Sequence, residues 1–174
     1  MKKLLAGLVM IPSMMLAQGS VPTTGVATAA YTWQGNMKWI TMAADQMSEA
    51  DYAYKPVSTV RSFGQLIGHI AGSQFMFCAA ALGEAPKAED NVEKNVTTKA
   101  GLVKALKESN EYCARAYKMS DADAAGSTQL FGSPSSKMIA LVMNSTHIAE
   151  HYGNIVTYMR MKSMVPPSSQ GSGM

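Results

Sequence analysis

The stretch NSTHIAEHYGNIVTYMRMKSMVPP, residues 144–167, decides how the end of the chain folds and which chemistry it can carry. His147 and His151, two of the three histidines in the chain, lie four residues apart in it. Side chains at positions i and i+4 of an α-helix lie on one face, so both imidazoles could reach one metal ion. If the stretch is helical, it therefore supplies two ligands of a metal site.

Signals at both ends make this stretch part of one long helix. Ser133 is a hydroxyl N-cap, and Pro134 follows it at the first helical position, where a missing N–H costs nothing. The proline pair at 166–167 forbids continuation of the helix. The sequence predicts an unbroken fourth helix between these signals, with curvature near Gly153.

Three earlier segments also carry helical patterns. Apolar residues recur in them at spacings of three and four, which predicts amphipathic helices. These segments are residues 32–54, 62–84 and 97–119. Ser62 followed by Gln65 is a capping-box pattern that opens the second of them. The sequence shows no internal repeat and no long alternating pattern, so it predicts an all-α fold, an up-and-down four-helix bundle over residues 32–168.

The third histidine, His69, lies about two turns into the second helix. In an up-and-down bundle the second and fourth helices run parallel, so both start at the same end. Measured from the two caps, His69 and His147 differ by about 9 Å along the axis at 1.5 Å per residue, and a long third connection can absorb that difference. All three histidines are therefore predicted to lie at one level. Gly68, Gly72 and Ser73 are small, which predicts a cavity beside His69.

Three neutral imidazoles bind Zn²⁺, Ni²⁺ or Cu²⁺ and leave at least one coordination position for water or a small molecule. The sequence therefore predicts one divalent metal ion, zinc or nickel, bound by His69, His147 and His151. The alternative is three buried histidines that form hydrogen bonds with hydroxyl or carbonyl groups. Glu150 lies about 100° around the helix from His151, so this is not the HExxH motif of a metalloprotease.

TVRSFGQLIGHIAGSQ, residues 59–74, and the stretch quoted first together resemble the DinB family of DinB/YfiT-like metalloenzymes. The resemblance covers the chain from about residue 33 to residue 169. It implies a four-helix bundle, and it implies that His69, His147 and His151 are the metal ligands. Some relatives are transferases or isomerases that use a low-molecular-weight thiol as nucleophile.

A hydrolase that uses a metal-activated water would need the same histidines and no thiol. A non-catalytic metal-binding or small-molecule-binding protein of a stress response is the alternative, because no general base accompanies the histidines in the sequence. The predicted partner is a small molecule at the open metal position, and a homodimer is left open. Four polar residues near the motifs could orient the ligands or serve packing and capping: Gln65, Asn144, Tyr152 and Tyr158.

The N-terminus has the pattern of a secretory signal. Lys2 and Lys3 precede an apolar run that ends at Leu16, which predicts a signal peptide over residues 1–17, with cleavage as late as residue 30 as an alternative. The run is shorter than the ~20 residues of a membrane span. We therefore expect a periplasmic or secreted protein, with no membrane association after cleavage. Residues 18–31 are predicted as a linker and residues 169–174 as a disordered tail.

The charge balance argues against a nucleic-acid partner. The chain has 15 basic and 12 acidic residues, and removal of the two lysines of the signal leaves 15 − 2 = 13 basic residues against 12 acidic ones. A chain this close to neutral has no basic surface for phosphates. Export would also let Cys78 and Cys113 pair. An antiparallel third helix would separate them by up to ~15 Å along the axis, against a Cα limit near 7 Å, so a disulfide and two buried thiols both stay open.

Overall fold

The computed structural model describes residues 21–171, and four long helices form its core. Their bounds are Gly25–Gln46 (α1), Phe63–Leu82 (α2), Lys99–Ala116 (α4) and Lys137–Met161 (α6). The connections contain the short helices Asn91–Asn95 (α3) and Asp121–Ala124 (α5), the 3₁₀ turns Ala50–Ala53 and Pro167–Ser169, and the strands Ser127–Leu130 (β1) and Ser133–Ser136 (β2). The predicted four-helix bundle is confirmed, with one small hairpin added to it.

The second and third long helices, α2 and α4, run in the same direction. A Cβ added at Gly68 in α2 would lie 3.2 Å from Leu102 at the start of α4. Further along both helices, the Cα atoms of Cys78 and Cys113 are 5.3 Å apart. The chain between the two helices therefore runs back along α2 before α4 begins. The up-and-down order expected from the sequence does not hold, because this connection returns the chain to the end where α2 started.

The outer pair of long helices, α1 and α6, also runs in one direction. Gly25 lies against Met138 near the start of each helix, and the rings of Trp39 and Tyr152 stack further along at 5.3 Å. Relative to α2, the direction of α6 is reversed. Its last turns bring the Tyr158 hydroxyl to the Arg61 carbonyl at 2.7 Å, just before α2 begins. The bundle therefore pairs two parallel helices against two others of opposite direction.

The first helix begins seven residues before the predicted start. Thr24 caps α1, and its hydroxyl accepts a hydrogen bond from the Ala27 N–H at 3.2 Å. The Asp121 carboxylate accepts two more, from the N–H groups of Gly25 and Val26, each at 2.9 Å. The predicted linker over residues 18–31 is therefore wrong from residue 25 onward. The N–H groups in the first turn of a helix have no partner within the helix, and here the carboxylate of Asp121, distant in sequence, binds two of them. The small and polar residues of this segment gave no indication of that partner.

The start of α6 also differs from the expectation. Ser133 and Pro134 lie in strand β2, which pairs with β1 through a turn at Phe131 and Gly132, both with positive φ. Ser136 is the actual N-cap. The helix then runs to Met161 without interruption, as predicted.

The C-terminal segment is ordered as far as the structure describes it. Gln170 and Gln46 exchange two amide hydrogen bonds, at 2.9 and 3.1 Å. Ser169 and Gln170 therefore do not belong to a disordered tail, and residues 172–174 lie outside the described part of the chain. The predicted signal peptide, residues 1–17, also lies outside it.

A disulfide joins Cys78 of α2 to Cys113 of α4, and both cysteines are fully buried. The axial mismatch expected from the sequence assumed antiparallel helices, whereas parallel helices place the two residues side by side. Among the described helices, α2 alone is long and apolar enough to cross a membrane by length and composition, but 72% of the apolar segment is buried inside the bundle. That burial is typical of a core helix, and α2 carries His69 about two turns from its start.

Candidate metal centre

Three imidazole nitrogens meet between α2 and α6. The Nε2 atom of His69 lies 3.2 Å from Nε2 of His147 and 3.0 Å from Nε2 of His151, and the last two atoms are 2.9 Å apart. Nitrogens that each lie about 2.0–2.1 Å from one ion are about 2.9–3.4 Å apart when the angles at the ion are about 90–110°. The triangle therefore has the size that a shared divalent ion requires.

The protein alone cannot satisfy this triangle. An imidazole nitrogen presents one site in the ring plane, either an N–H or a lone pair. A hydrogen bond needs one of each, so among three mutual contacts at least one must bring two like sites together. A cation bound by three lone pairs removes that conflict. The donor set thus fits a metal ion better than it fits hydrogen bonds among the histidines. The alternative left open by the sequence, hydrogen bonds to hydroxyl or carbonyl groups, is not seen at any of the three rings within residues 21–171.

Burial keeps the three imidazoles in the form that binds metal. Loss of water contact lowers the pKa of His69 and of His147 below the usual value, and the charge of a neighbouring Arg61 adds to the effect at both. Burial, together with the other two histidines, lowers the pKa of His151 to about 3. Neutral imidazoles with free lone pairs are the species that ligate divalent ions.

The opposite ring nitrogens, Nδ1, have different surroundings in the three histidines. The side-chain amide of Asn154 lies 3.2 Å from Nδ1 of His151. Two carboxylates, those of Glu89 and Glu93, each lie 3.8 Å from Nδ1 of His69. The carboxylates favour the tautomer of His69 that carries its proton on Nδ1 and keeps a lone pair on Nε2. In His151 the same tautomer requires the Asn154 amide to present its oxygen to Nδ1–H, because an amide nitrogen is a donor only. Nδ1 of His147 is buried and has no hydrogen-bond partner within residues 21–171.

Two glycines of α2 allow these carboxylates to approach. A Cβ at Gly72 would lie 1.8 Å from the Glu89 carbonyl oxygen, and one at Gly68 would lie 2.9 Å from Glu93 Cα. The returning connection therefore packs its backbone directly on α2 beside His69. The predicted cavity at these glycines is wrong, because the connection fills the space. The Ser73 hydroxyl, also expected to border a cavity, instead donates a hydrogen bond to Glu89 at 2.8 Å.

The four residues considered as possible ligand-orienting groups all have structural contacts. Gln65 completes the predicted capping box with Ser62. The Asn144 amide donates to the Tyr117 hydroxyl at 3.1 Å and lies against both disulfide sulfurs at 3.6 and 3.7 Å. Tyr152 accepts a hydrogen bond from the backbone of Ser168. None of these three side chains bonds a histidine, and the Tyr158 hydroxyl bonds the Arg61 carbonyl instead.

The residues that do surround the histidines were missed in the sequence. Asn154 follows His151 by three residues, so helical spacing alone could have indicated it. The carboxylates of Glu89 and Glu93 lie in a polar connection without periodicity. Their only sequence signal was the glycine spacing in α2, which marks a close backbone approach as readily as an empty space.

The model of the DinB superfamily matches residues 39–155. The chain belongs to the DinB superfamily. This confirms the resemblance carried by the histidine motifs, and the match spans the segment that contains all three histidines.

Solved structures show the same fold as this DinB superfamily chain. A DinB-like protein from Bacillus cereus has a TM-score of 0.68 at 15% identity, covering 80% of this chain and 93% of that one. YfiT from Bacillus subtilis, described as a probable metal-dependent hydrolase with an unusual four-helix bundle topology, has a TM-score of 0.63 at 13% identity, with coverage of 84% and 93%. A mycothiol-dependent maleylpyruvate isomerase has a TM-score of 0.64 at 14% identity, and the match covers 77% of this chain but 63% of the isomerase. A comparison with curated proteins gave no match.

Proposed function

We propose that His69, His147 and His151 bind one divalent metal ion, zinc or nickel, and that the protein is a metal-dependent enzyme acting on a small molecule. The observation that carries this proposal is the triangle of Nε2 atoms with sides of 2.9–3.2 Å. Three protein ligands leave at least one position for a reacting group, as in catalytic rather than structural metal sites.

A divalent ion in this place would supply a nucleophile at neutral pH, by lowering the pKa of a bound water or thiol. The chain's own residues hold the ligands in place for it. Asn154 orients His151, the carboxylates of Glu89 and Glu93 orient His69, and packing between α2 and α6 fixes all three rings. Both reaction classes named for the structural relatives, hydrolysis and thiol-dependent isomerisation, depend on such a nucleophile.

A non-catalytic binding protein is the second candidate, and one observation favours it. The two carboxylates at Nδ1 of His69 already have partners: Glu93 is bound by Arg61 at 3.0 Å and Glu89 by Ser73 at 2.8 Å. Each carboxylate is therefore engaged in a contact of its own, and both lie at Nδ1 of His69 and not at the Nε2 atoms. Turnover of ester, amide and thiol-conjugation substrates by the metal-loaded protein separates an enzyme from a binder.

Calorimetric titration of Ni²⁺ and Zn²⁺ into metal-free, untagged protein tests the site itself. We expect one ion per chain, and a loss of affinity of tenfold or more in each of the His69→Ala, His147→Ala and His151→Ala variants. The fold should persist in all three, because the bundle has its own core. Unchanged binding in a His147→Ala, His151→Ala double variant would contradict the proposal.

We also propose that the protein is exported to the periplasm or secreted. The N-terminal pattern supports this, and so does the disulfide, since such bonds persist in oxidising compartments. Because Thr24 caps α1 and Asp121 binds its first N–H groups, we expect the mature chain to begin between residues 18 and 24, and not as late as residue 30. Mass spectrometry of protein from the native cell checks this, and an intact Met1 would contradict it.

A further inference from the structure

A groove borders the histidine centre on the side where α2 begins. Its volume is about 610 Å³, and it lies between the loop that precedes α2, the first turn of α2 and the last turns of α6. His151 and Glu93 are among the residues that line it. The groove is therefore continuous with the residues that surround the proposed metal ion, and a molecule bound there could extend to it.

The charged side chains of this groove favour an anion. Lys55 and Arg61 supply two positive charges, and Glu93 supplies one negative charge. The guanidinium of Arg61 is one carboxylate away from the centre, because Glu93 accepts hydrogen bonds from Arg61 Nε and also lies 3.8 Å from Nδ1 of His69. A bound divalent ion would add to the positive potential.

Arg61 is held in place and yet has donors to spare. Its Nε group donates to both oxygens of Glu93, at 3.0 and 3.1 Å. Its carbonyl oxygen accepts the hydrogen bond from Tyr158, and the next residue, Ser62, caps α2. Within residues 21–171 its two Nη groups donate no hydrogen bond to another residue, and 43% of the side chain is exposed. A fixed guanidinium with free Nη groups matches a carboxylate in two-point geometry.

We propose that this groove is the substrate subsite and that it selects a small molecule with a carboxylate, which the Nη groups of Arg61 bind while the other end of the molecule reaches the metal centre. Asn154 and Gln65 also line the groove, and their side-chain amides supply neutral hydrogen-bond donors to a molecule bound in it. This inference rests on the proposed function, since it concerns the ligand of the same site.

The test uses pyridine probes and Ni²⁺-loaded protein. The ring nitrogen binds the metal, and a carboxylate at the 4-position cannot reach the same ion, so any gain in affinity comes from the protein. The probes are 4-methylpyridine, pyridine-4-carboxylate, 4-pyridylacetate and 3-(4-pyridyl)propionate. By calorimetry we expect at least one carboxylate probe to bind about tenfold more tightly than 4-methylpyridine. The inference is overturned if none of them does.

Arg61→Gln should abolish this gain. The gain is measured in each variant as the ratio to that variant's own affinity for 4-methylpyridine, so that a change at the metal ligands caused by loss of the Arg61–Glu93 pair cancels. Arg61→Lys should lose most of it, because an ammonium group keeps the charge but not the planar fork. Arg115→Gln is the matched control: Arg115 pairs with Glu84 at the same 3.0 Å but lies outside the groove, so the gain should persist. A gain that survives Arg61→Gln would overturn the inference.

Removal of Arg61 also leaves Glu93 without its partner, and its free charge could repel an anionic probe. The Arg61→Gln, Glu93→Gln double variant removes both charges, and we expect it to lack the gain as well. If the double variant regains the tenfold preference, Glu93 repulsion explains the single variant and the carboxylate subsite is refuted.

A binding experiment on metal-free protein tests the carboxylate subsite independently of the proposed metal function. Succinate is titrated into ¹⁵N-labelled metal-free protein, and the Nε–H signals of Arg61 and Arg115 are followed by NMR. We expect a saturable shift for Arg61 only. Equal shifts for both arginines would overturn the subsite, whatever the outcome of the metal titrations. A shift for Arg61 without Ni²⁺ binding would retain the anion subsite and reject the proposed metal function.

Discussion

Gly72→Ala tests whether the returning connection is packed on α2 as tightly as the structure shows. The new Cβ would lie 1.8 Å from the Glu89 carbonyl oxygen, and real Cβ contacts essentially never fall under 3.0 Å, so the backbone at Glu89 must retreat. Overpacking of this kind costs about 1–3 kcal/mol. Replacement of a glycine inside a helix by alanine stabilises the folded state by about 0.5–1 kcal/mol. The net loss of stability is therefore up to about 2.5 kcal/mol, or a fall in Tm of up to roughly 10 °C for a chain of this size.

Thermal unfolding of metal-free protein, followed by circular dichroism, is the assay. Gly35→Ala is the matched control, because Gly35 lies exposed in α1 and a Cβ there meets nothing within 4 Å. We expect the control to unfold at a temperature about 1–4 °C higher than the wild-type chain. If Gly72→Ala were as stable as Gly35→Ala, the close packing of the connection on α2 would be refuted.

Two further changes follow from the same structure. The metal-free protein should lose stability as the pH falls below about 6.5. The reason is that histidines of the unfolded chain take up protons there, whereas the buried histidines of the folded chain, His151 above all, do so only at lower pH. Urea unfolding at pH 7 and pH 5 measures the loss, and a variant with all three histidines replaced by glutamine should lose less stability between these two pH values. Replacement of Cys78 and Cys113 by alanine should cost about 2–4 kcal/mol, because the disulfide closes a long loop in the unfolded chain, and an unchanged midpoint of denaturant unfolding would contradict the bond.

The sequence predicted that the three histidines meet, through an argument about helix direction that the structure corrects. It assumed that α2 and α6 run parallel, whereas they run in opposite directions. The level of the histidine pair is nevertheless right, since His147 and His151 are centred on residue 149, the midpoint of a helix that spans 137–161. Reversal of a helix leaves its midpoint at the same height, so the pair still faces His69.

The connection between α2 and α4 could not be predicted in the same way. Its residues are polar and lack periodicity, so nothing local shows whether the chain crosses to the far end of the bundle or runs back. That choice determines whether Cys78 and Cys113 are neighbours and whether Glu89 reaches His69. The hairpin before α6 was missed for a related reason: Ser133 and Pro134 suit a helix start, and only pairing with β1 makes them a strand.

The disulfide and the histidine centre have a common consequence for how the bundle can come apart. The bond between Cys78 and Cys113 is nested inside the stretch from His69 to His147, and both links begin in α2. The disulfide links α2 to α4, and an ion bound by the three imidazoles would link α2 to α6. A reductant breaks the disulfide, whereas acid or a chelator removes an ion from the histidines. Each link can therefore be broken by a reagent that leaves the other intact. With both links in place, α2, α4 and α6 are joined to one another, and of the four long helices α1 alone is held by packing and hydrogen bonds only.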